Sequence, residues 1–247
     1  MMRFAGLMIA AFALLGCQQP EAQAQMSENE RDEVREIVRD YILENPEIIE
    51  EALIELQRRA RAREMQSTYD AVTAQADAIF NDQRDPRVGP ADADLVIVEF
   101  MDYKCSYCRV ANDWVEDVRE EYGDRVQFII KEYPILGDDS VQAARAALAA
   151  LRQGEDVYTT FHTAMVSSSG PLPDERIFQL ARSSGVDVER MREDMEDPAI
   201  MDHIAQNRSL GSVLGVSGTP FFIVGDTVVP GANEMALDEA LARGLSN

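Results

Sequence analysis

Apolar residues cluster along the chain in patterns that predict strands in some stretches and helices in others. The apolar run 95–100 is typical of a buried strand, and the amphipathic stretch 110–122 that follows predicts a helix. A second apolar run at 126–133 predicts the next strand. The junction segment 100–109, Phe-Met-Asp-Tyr-Lys-Cys-Ser-Tyr-Cys-Arg, therefore lies where a strand ends and a helix begins.

The second half of the chain is predicted to be helical until a late hairpin. No strand pattern occurs between about 138 and 214, where helical patterns follow one another. Two β-rich runs then flank the turn residues Gly225 and Asp226, which predicts a hairpin, with Pro220 at the opening of its first strand. Residues 234–245 form the last predicted helix.

The N-terminal region is predicted to be helical but shows no core of its own. Ser27 and Glu30 have capping-box spacing, and Asn45-Pro46 has the signature of a second helix start. The pattern then continues without Gly or Pro to Phe80, which predicts a helix about 50 Å long at 1.5 Å per residue. Its apolar stripes must pack either on the rest of the chain or on other copies of it.

Composition places a domain boundary after this helical region. Residues 81–90 are polar and contain two prolines and a glycine, which is typical of a linker. We therefore predict an N-terminal helical extension at 25–80, a linker at 81–90 and a catalytic domain at 91–247, whose helical insertion spans about 138–214.

Cys105 and Cys108 form a Cys-x-x-Cys pair at the start of the predicted active-site helix. Unpaired backbone N–H groups and the helix dipole favour a thiolate at that position. In such motifs the first cysteine has a pKa of roughly 3.5–7.5, against about 8.5 for a free thiol. The pair is therefore predicted to be a redox dithiol, with Cys105 as nucleophile and Cys108 closing the disulfide.

Three other interpretations of the pair compete with this one. A purely structural disulfide would close a very short loop and constrain the unfolded chain little. A zinc site needs four ligands, and no second Cys/His pair has ligand spacing, so no metal ligands are assigned. Two inert core cysteines would leave their spacing and placement unexplained. We expect no cofactor beyond the Cys105–Cys108 disulfide itself.

The cysteine motif, followed late in the chain by Gly218-Thr219-Pro220, resembles the DsbA-like branch of thioredoxin-fold thiol–disulfide oxidoreductases. The resemblance implies an α/β thioredoxin fold with an all-helical insertion, here preceded by an N-terminal helical extension. It implies a cis peptide bond before Pro220, facing the cysteines, with Thr219 helping to hold a substrate peptide. It also implies that Glu99 relays protons beneath the dithiol; the alternative is a surface glutamate.

A narrower resemblance concerns the N-terminal extension. The segment 39–49, Arg-Asp-Tyr-Ile-Leu-Glu-Asn-Pro-Glu-Ile-Ile, resembles the extension of ScsC-like and Com1-like relatives of DsbA. In ScsC-like proteins that extension can mediate oligomerisation, and trimers are known, so the resemblance implies a homo-oligomer formed through residues 27–80. The residues between the cysteines tune the redox balance: Tyr107 matches the ScsC-like pattern, whereas Ser106 departs from it and leaves the redox potential open.

The first 24 residues have the features of an export signal. Arg3 precedes a 12-residue apolar stretch, which is too short to span a bilayer. Two ends of the signal are possible: a segment resembling a lipobox ends at Cys17, which would carry a lipid, and an Ala-x-Ala cleavage site ends at Ala24. Both predict an exported periplasmic protein, and the first predicts a lipid anchor at Cys17.

The net charge of −22 argues against nucleic-acid binding. Three functions are consistent with the sequence. The favoured one is an oligomeric disulfide isomerase or reductase that acts on client proteins with cysteines or disulfides. The second is a monomeric dithiol oxidase recharged by a membrane redox partner. The third is an envelope protein that binds Cu(I) through the two thiolates, since ScsC-like proteins are associated with copper tolerance.

Overall fold

A computed structural model describes residues 26–246. The predicted signal segment and Cys17 lie outside the described residues. The chain divides into two compact units, one ending at Arg58 and the other beginning at Arg59. Within the described residues, no helix has the length and apolar character needed to cross a membrane.

The first unit contains helix α1 (Glu28–Glu44) and the first turns of α2 (Glu47–Ala74). The predicted capping box is present, because the Ser27 hydroxyl accepts from the Glu30 backbone N–H and the Glu30 carboxylate accepts from the Ser27 N–H. No residue of α1 is buried. Its exposed apolar side chains are Val34, Ile37, Val38, Tyr41 and Leu43.

The second unit is built around a five-stranded sheet. The strands are β1 (Arg87–Val88), β2 (Leu95–Met101), β3 (Val126–Glu132), β4 (Phe221–Val224) and β5 (Thr227–Pro230). Their order is β1-β3-β2-β4-β5; β2 and β3 are parallel, and the other neighbours are antiparallel. The turn between β4 and β5 contains Gly225 at φ +59°, a conformation that glycine adopts at little cost.

Helices cover both faces of this sheet. They are α3 (Ala76–Phe80), α4 (Ser106–Tyr122), α5 (Asp138–Leu151), α6 (Glu155–Val166), α7 (Asp174–Ser183), α8 (Val188–Met195), α9 (Pro198–Val213) and α10 (Glu234–Gly244). Helices α5–α9 form the expected all-helical insertion between β3 and β4. The thioredoxin fold predicted from the resemblance is confirmed.

Side chains alternate between the two faces of β2 and β3, as the strand period requires. On what we call the dithiol face, Ile97, Met101 and Ile130 pack in the core that contains both cysteines. On the opposite side, which we call the reverse face, Phe100 and Ile129 pack with residues from the end of α2, α3 and the end of α9.

The boundary between the units differs from the predicted linker at 81–90. Val72 of α2 and Ile79 of α3 are buried in the reverse-face core, so this part of the predicted extension packs with the sheet. The helix predicted to run to Phe80 is interrupted at Gln75. The predicted linker itself supplies the edge strand β1.

Candidate active site

The two cysteines lie at the amino end of α4, where the loop after β2 turns into the helix. Cys105 is the N-cap residue of α4, and Cys108 lies in its first turn. Both are free thiols and both are buried, Cys108 almost completely. The backbone N–H of Cys105 donates to the Asp102 carbonyl at 2.9 Å, which holds the loop before the nucleophile.

The late Thr-Pro motif is brought against the first cysteine. The Thr219–Pro220 peptide bond is cis, as the resemblance implied. The Cys105 thiol donates to the Thr219 carbonyl oxygen at 3.1 Å. Residues separated by more than a hundred positions in the chain therefore form one site.

The environment of the two thiols separates their acidities. The pKa of Cys105 is lowered to about 5, mainly because its thiolate accepts a hydrogen bond from the Cys108 thiol. Partial burial opposes this shift, while the Thr219 side chain and the Cys108 and Tyr107 backbone N–H groups reinforce it. Burial raises the pKa of Cys108 far above its usual range, and the hydrogen bond with Cys105 and the charge of Glu99 add to the effect.

Glu99 lies on the dithiol face of β2 and is buried. Burial, with a smaller contribution from the negative charge of Cys105, raises the pKa of this carboxyl to about 8. A carboxyl with such a pKa can hold a proton at neutral pH and exchange it with a neighbouring thiol. The surface alternative for Glu99 is thus not what the structure shows.

Tyr107, one of the two residues between the cysteines, is 65% exposed, and Val110 and Leu136 are exposed as well. Lys104 contacts the Leu136 carbonyl oxygen and Asp139 at 3.2 and 3.3 Å. Exposed apolar side chains therefore lie on the helix that begins after Cys105 and beside Lys104, which precedes Cys105. Ser106 begins α4 directly after Cys105.

A buried polar cluster that the sequence did not reveal lies on the same face. The Tyr103 hydroxyl lies 3.0 Å from Glu132 Oε1 and 2.8 Å from His162 Nδ1, and the Tyr158 hydroxyl lies 3.4 and 3.2 Å from the same two atoms. Burial raises the pKa of Glu132 well above its usual range, and burial lowers that of His162 to about 4. Burial thus favours the uncharged form of both groups.

This cluster had only weak signals in the sequence. Glu132 lies at the end of the predicted strand 126–133, and His162 lies in a predicted helix without a partner nearby in the chain. Only the packing of α6 on the dithiol side joins them to Tyr103, two residues before the nucleophile. Among the described residues, no group of three or more His, Cys, Asp and Glu side chains is placed to hold a metal ion.

Comparison with known proteins gives a consistent result for both parts of the chain. Residues 96–242 match the DSBA-like thioredoxin domain, and residues 30–63 match the copper resistance protein ScsC N-terminal domain. A linker-deletion mutant of Proteus mirabilis ScsC is 30% identical, with a TM-score of 0.67, and the match covers 91% of this chain and 99% of that one.

Two further relatives extend the comparison. The thiol-disulfide exchange protein alpha-DsbA2 from Wolbachia pipientis is 30% identical with a TM-score of 0.68, over 74% of this chain and 97% of that one. A Na(+)/H(+) antiporter NhaA from Herminiimonas arsenicoxydans is 30% identical over 162 residues, or 62% of this chain. The chain spans only 25% of the length of that antiporter.

Proposed function

Because the chain belongs to the family of DsbA-like thioredoxin domains, we propose that it is a thiol–disulfide oxidoreductase of the bacterial periplasm, acting on client proteins through Cys105 and Cys108. The observation that carries the proposal is the unequal pair of thiols at one helix end. Cys105 has a pKa of about 5 and contacts the Thr219 carbonyl, whereas the pKa of Cys108 is raised by burial.

The reaction begins when the Cys105 thiolate attacks one sulfur of a client disulfide. A Cys105–client disulfide forms, and the client's own S–S bond breaks with release of a client thiolate. Cys108 then loses its proton and attacks the Cys105 sulfur, which releases the second client thiolate and leaves the Cys105–Cys108 disulfide. The client has gained two electrons, and the protein has lost two. Run in reverse, the same steps oxidise a client dithiol.

Glu99 is the proposed acceptor of the Cys108 proton. While Cys105 is a thiolate, burial and the thiolate charge raise the pKa of Glu99 to about 8, and the carboxyl holds a proton. When Cys105 enters the mixed disulfide its charge is lost, the pKa of Glu99 falls, and the proton passes to the departing client thiolate; the carboxylate then accepts the proton of Cys108 as the mixed disulfide is resolved. Thr219 and Pro220 are proposed to hold the client backbone beside Cys105, while Ser106 and Tyr107 adjust the redox balance between the two cysteines. No further cofactor is proposed.

The favoured role is isomerisation or reduction in an oligomer. The apolar side chains of α1 are exposed, and residues 30–63 match the ScsC N-terminal domain. Burying these side chains between copies would contribute about 1.5–3 kcal/mol for each large aliphatic group, before the cost of association. A trimer would place several dithiols around one client, so that a wrong disulfide opened at one site can be replaced at another.

The proposal extends to location and partners as follows. The protein is exported, with a lipid at Cys17 as the proposed anchor, and a membrane redox partner resets its dithiol. One alternative, also an oxidoreductase, is a monomeric oxidase. The other alternative is a metal-binding protein that holds Cu(I) through the two thiolates; such a protein would not rearrange the disulfides of a scrambled client.

The test combines trapping with refolding. Cys108→Ala should accumulate mixed disulfides with clients and Cys105→Ala should not, because only Cys105 attacks. Wild type should recover activity from scrambled ribonuclease, and Val38→Glu should lower both the mass measured by light scattering and this isomerisation. A full-length monomer at micromolar concentration would exclude the oligomeric role, and equal trapping by both cysteine variants would exclude the proposed nucleophile.

A further inference from the structure

The nucleophile is presented by a tight turn between β2 and α4. The Cys105 N–H donates to the Asp102 carbonyl at 2.9 Å, which closes a β-turn with Tyr103 and Lys104 as its central residues. The Asp102 carboxylate fixes the start of this turn by accepting from three backbone N–H groups at 2.8–3.0 Å. The middle of the turn is anchored by the Tyr103 side chain, which is only 2% exposed.

Two other elements of the fold hold the Tyr103 hydroxyl. It donates to Glu132 Oε1 at the end of β3, 3.0 Å away, and lies 2.8 Å from His162 Nδ1 of α6. The rings of Tyr103 and His162 also meet edge to face, with their centroids 5.6 Å apart. Glu132 and His162 are both buried, so the hydroxyl cannot move away without leaving buried polar groups unpaired, which is costly.

A second hydroxyl reaches the same two atoms from outside the turn. Tyr158 lies one helical turn before His162 on α6, and its ring stacks on the imidazole with the centroids 5.3 Å apart. The Tyr158 hydroxyl lies 3.4 Å from Glu132 Oε1 and 3.2 Å from His162 Nδ1, farther than the Tyr103 hydroxyl in both cases. Tyr158 therefore shares the partners of Tyr103 but not its place in the turn, which makes it an internal control.

Stability alone does not account for a carboxyl at position 132. Glu132 is fully buried, and its Oε2 atom has no hydrogen-bond partner within the part of the chain that the structure describes. Burial raises the pKa of this carboxyl against the opposing effect of the two tyrosine hydrogen bonds, and the charges of Asp102 and Glu99 add to the rise. An apolar side chain would avoid the cost of an unpaired buried oxygen. Such exceptions to core packing are expected where a site needs a fixed geometry.

From this arrangement we infer that Glu132 and His162 are positioning residues for the nucleophile. They hold the Tyr103 hydroxyl, and Tyr103 holds the turn that sets the Cys105 sulfur 3.1 Å from the Thr219 carbonyl oxygen. This role rests on the proposed function and adds to it two residues that act on the dithiol through Tyr103. It also gives α6 of the helical insertion a part in the chemistry, since α6 supplies one of the two groups that hold the hydroxyl.

Loss of the anchor should act on the Cys105 thiolate. That thiolate is stabilised mainly by the hydrogen bond from the Cys108 thiol, and further by the Thr219 side chain and by backbone N–H groups at the start of α4. A turn that is free to move weakens these bonds, because hydrogen bonds depend steeply on distance and angle. The pKa of Cys105 should therefore rise above about 5, and the reduced protein should lose stability relative to its disulfide form.

The test measures the pKa of Cys105 in the full-length protein from the pH dependence of its alkylation by iodoacetamide. Tyr103→Phe removes one oxygen atom and keeps the ring, and it should raise this pKa by about one pH unit. The matched change Tyr158→Phe removes the other hydroxyl from the same two atoms and should leave the pKa unchanged. In Tyr103→Phe alone, the equilibrium with glutathione should shift about tenfold towards the disulfide form, or about 30 mV for a two-electron couple.

Variants of the two positioning residues separate hydrogen bonding from charge. Glu132→Gln retains an accepting oxygen and should keep the wild-type pKa of Cys105. Glu132→Leu and His162→Leu should each raise it, as Tyr103→Phe does. Tyr103→Phe combined with Glu132→Leu should raise it no further than either change alone, because both remove the same contact. Tyr103→Phe, the mildest change, decides the matter if a leucine variant does not fold.

The outcomes distinguish the positioning role from the function on which it depends. An unchanged Cys105 pKa in Tyr103→Phe overturns the role, and so does an equal rise in Tyr158→Phe, which would show a general loosening of the core. A shift of about one pH unit in Glu132→Gln, up or down, also overturns it, since the carboxyl would then act through its charge. If wild type fails to exchange with glutathione disulfide, the proposed function fails and the positioning role fails with it. A rise confined to Tyr103→Phe and the leucine variants supports the role.

Discussion

The two faces of the central sheet handle buried charge in different ways. On the reverse face, Lys131 of β3 is fully buried and pairs with Asp85, which also lies 3.0 Å from His203 Nε2. On the dithiol face, the next residue, Glu132, instead accepts hydrogen bonds from the Tyr103 and Tyr158 hydroxyl groups. One face neutralises charge with an opposite charge, and on the other burial raises the pKa of the acids.

The difference shows which buried groups are available for chemistry. The ion pair joins the loop before β1 to β3, so the reverse face is suited to holding that loop against the sheet. Acids kept neutral by burial have pKa values raised into or beyond the neutral range and can exchange protons there. Glu99 is of this second kind; burial raises the pKa of Glu132 as well, and both residues lie on the face that carries the dithiol.

The largest effect is expected where the ion pair is broken. Lys131→Met leaves Asp85 buried without its cation and removes a donor to the Ala78 carbonyl oxygen, 2.6 Å away. Loss of one partner of a buried pair costs about 3–5 kcal/mol, so the free energy of unfolding measured in denaturant should fall by that amount. Lys131→Met combined with Asp85→Leu should recover most of the loss. A loss below about 1 kcal/mol in the single variant would contradict this view of the reverse face.

The second prediction concerns Asp102, a buried carboxylate directly after β2 that is hydrogen-bonded by backbone N–H groups. Asp102 accepts from the Lys104 N–H at 2.8 Å and from the Ile135 and Leu136 N–H groups at 2.8 and 3.0 Å. Asp102→Asn replaces one accepting oxygen by an amide that cannot accept, so unfolding free energy should fall by about 1.5–3 kcal/mol. Asp139→Asn, at the exposed ion pair with Lys104, should change it by less than about 1 kcal/mol. Equal losses in the two variants would refute the argument.

Local patterns were sufficient to predict where the cysteine pair lies in the fold. The apolar run ending at Phe100 and the amphipathic stretch after Cys108 placed the cysteines at a strand-to-helix junction, where Cys105 is the N-cap. Ser27 and Glu30 form the capping box that their spacing predicts. Each of these features depends on contacts within a few residues.

Features that depend on distant contacts were not predictable in this way. Asp85 lies in a stretch whose polar composition predicts a linker. In the structure it is buried and forms an ion pair with Lys131 on β3. His162 gave no functional signal, since Tyr103 and Tyr158 reach it only through packing of α6 on the dithiol side. Val72 packs with residues of the sheet, so the end of α2 belongs to the second unit, which begins at Arg59. No local pattern in the sequence reveals this packing.

The last prediction concerns the pH dependence that the dithiol face should confer. Glu99 has a pKa of about 8 in the folded protein against an ordinary value of 4.5. The folded state therefore binds this proton more tightly than the unfolded state. The contribution of the proton to the free energy of unfolding is fully present below about pH 4.5 and is lost as the pH rises to about 8. Compared with Glu99→Gln, the free energy of unfolding of the reduced wild type should fall by at most about 1.4 kcal/mol per pH unit across that window. Above the window the difference between the two proteins should stay constant. Glu120→Gln, at an exposed position of α4, should follow wild type at every pH. In the disulfide form the Cys105 charge is absent, so the pH window should end at a lower pH. Identical profiles of unfolding free energy against pH for wild type and Glu99→Gln would show that Glu99 does not titrate in this window.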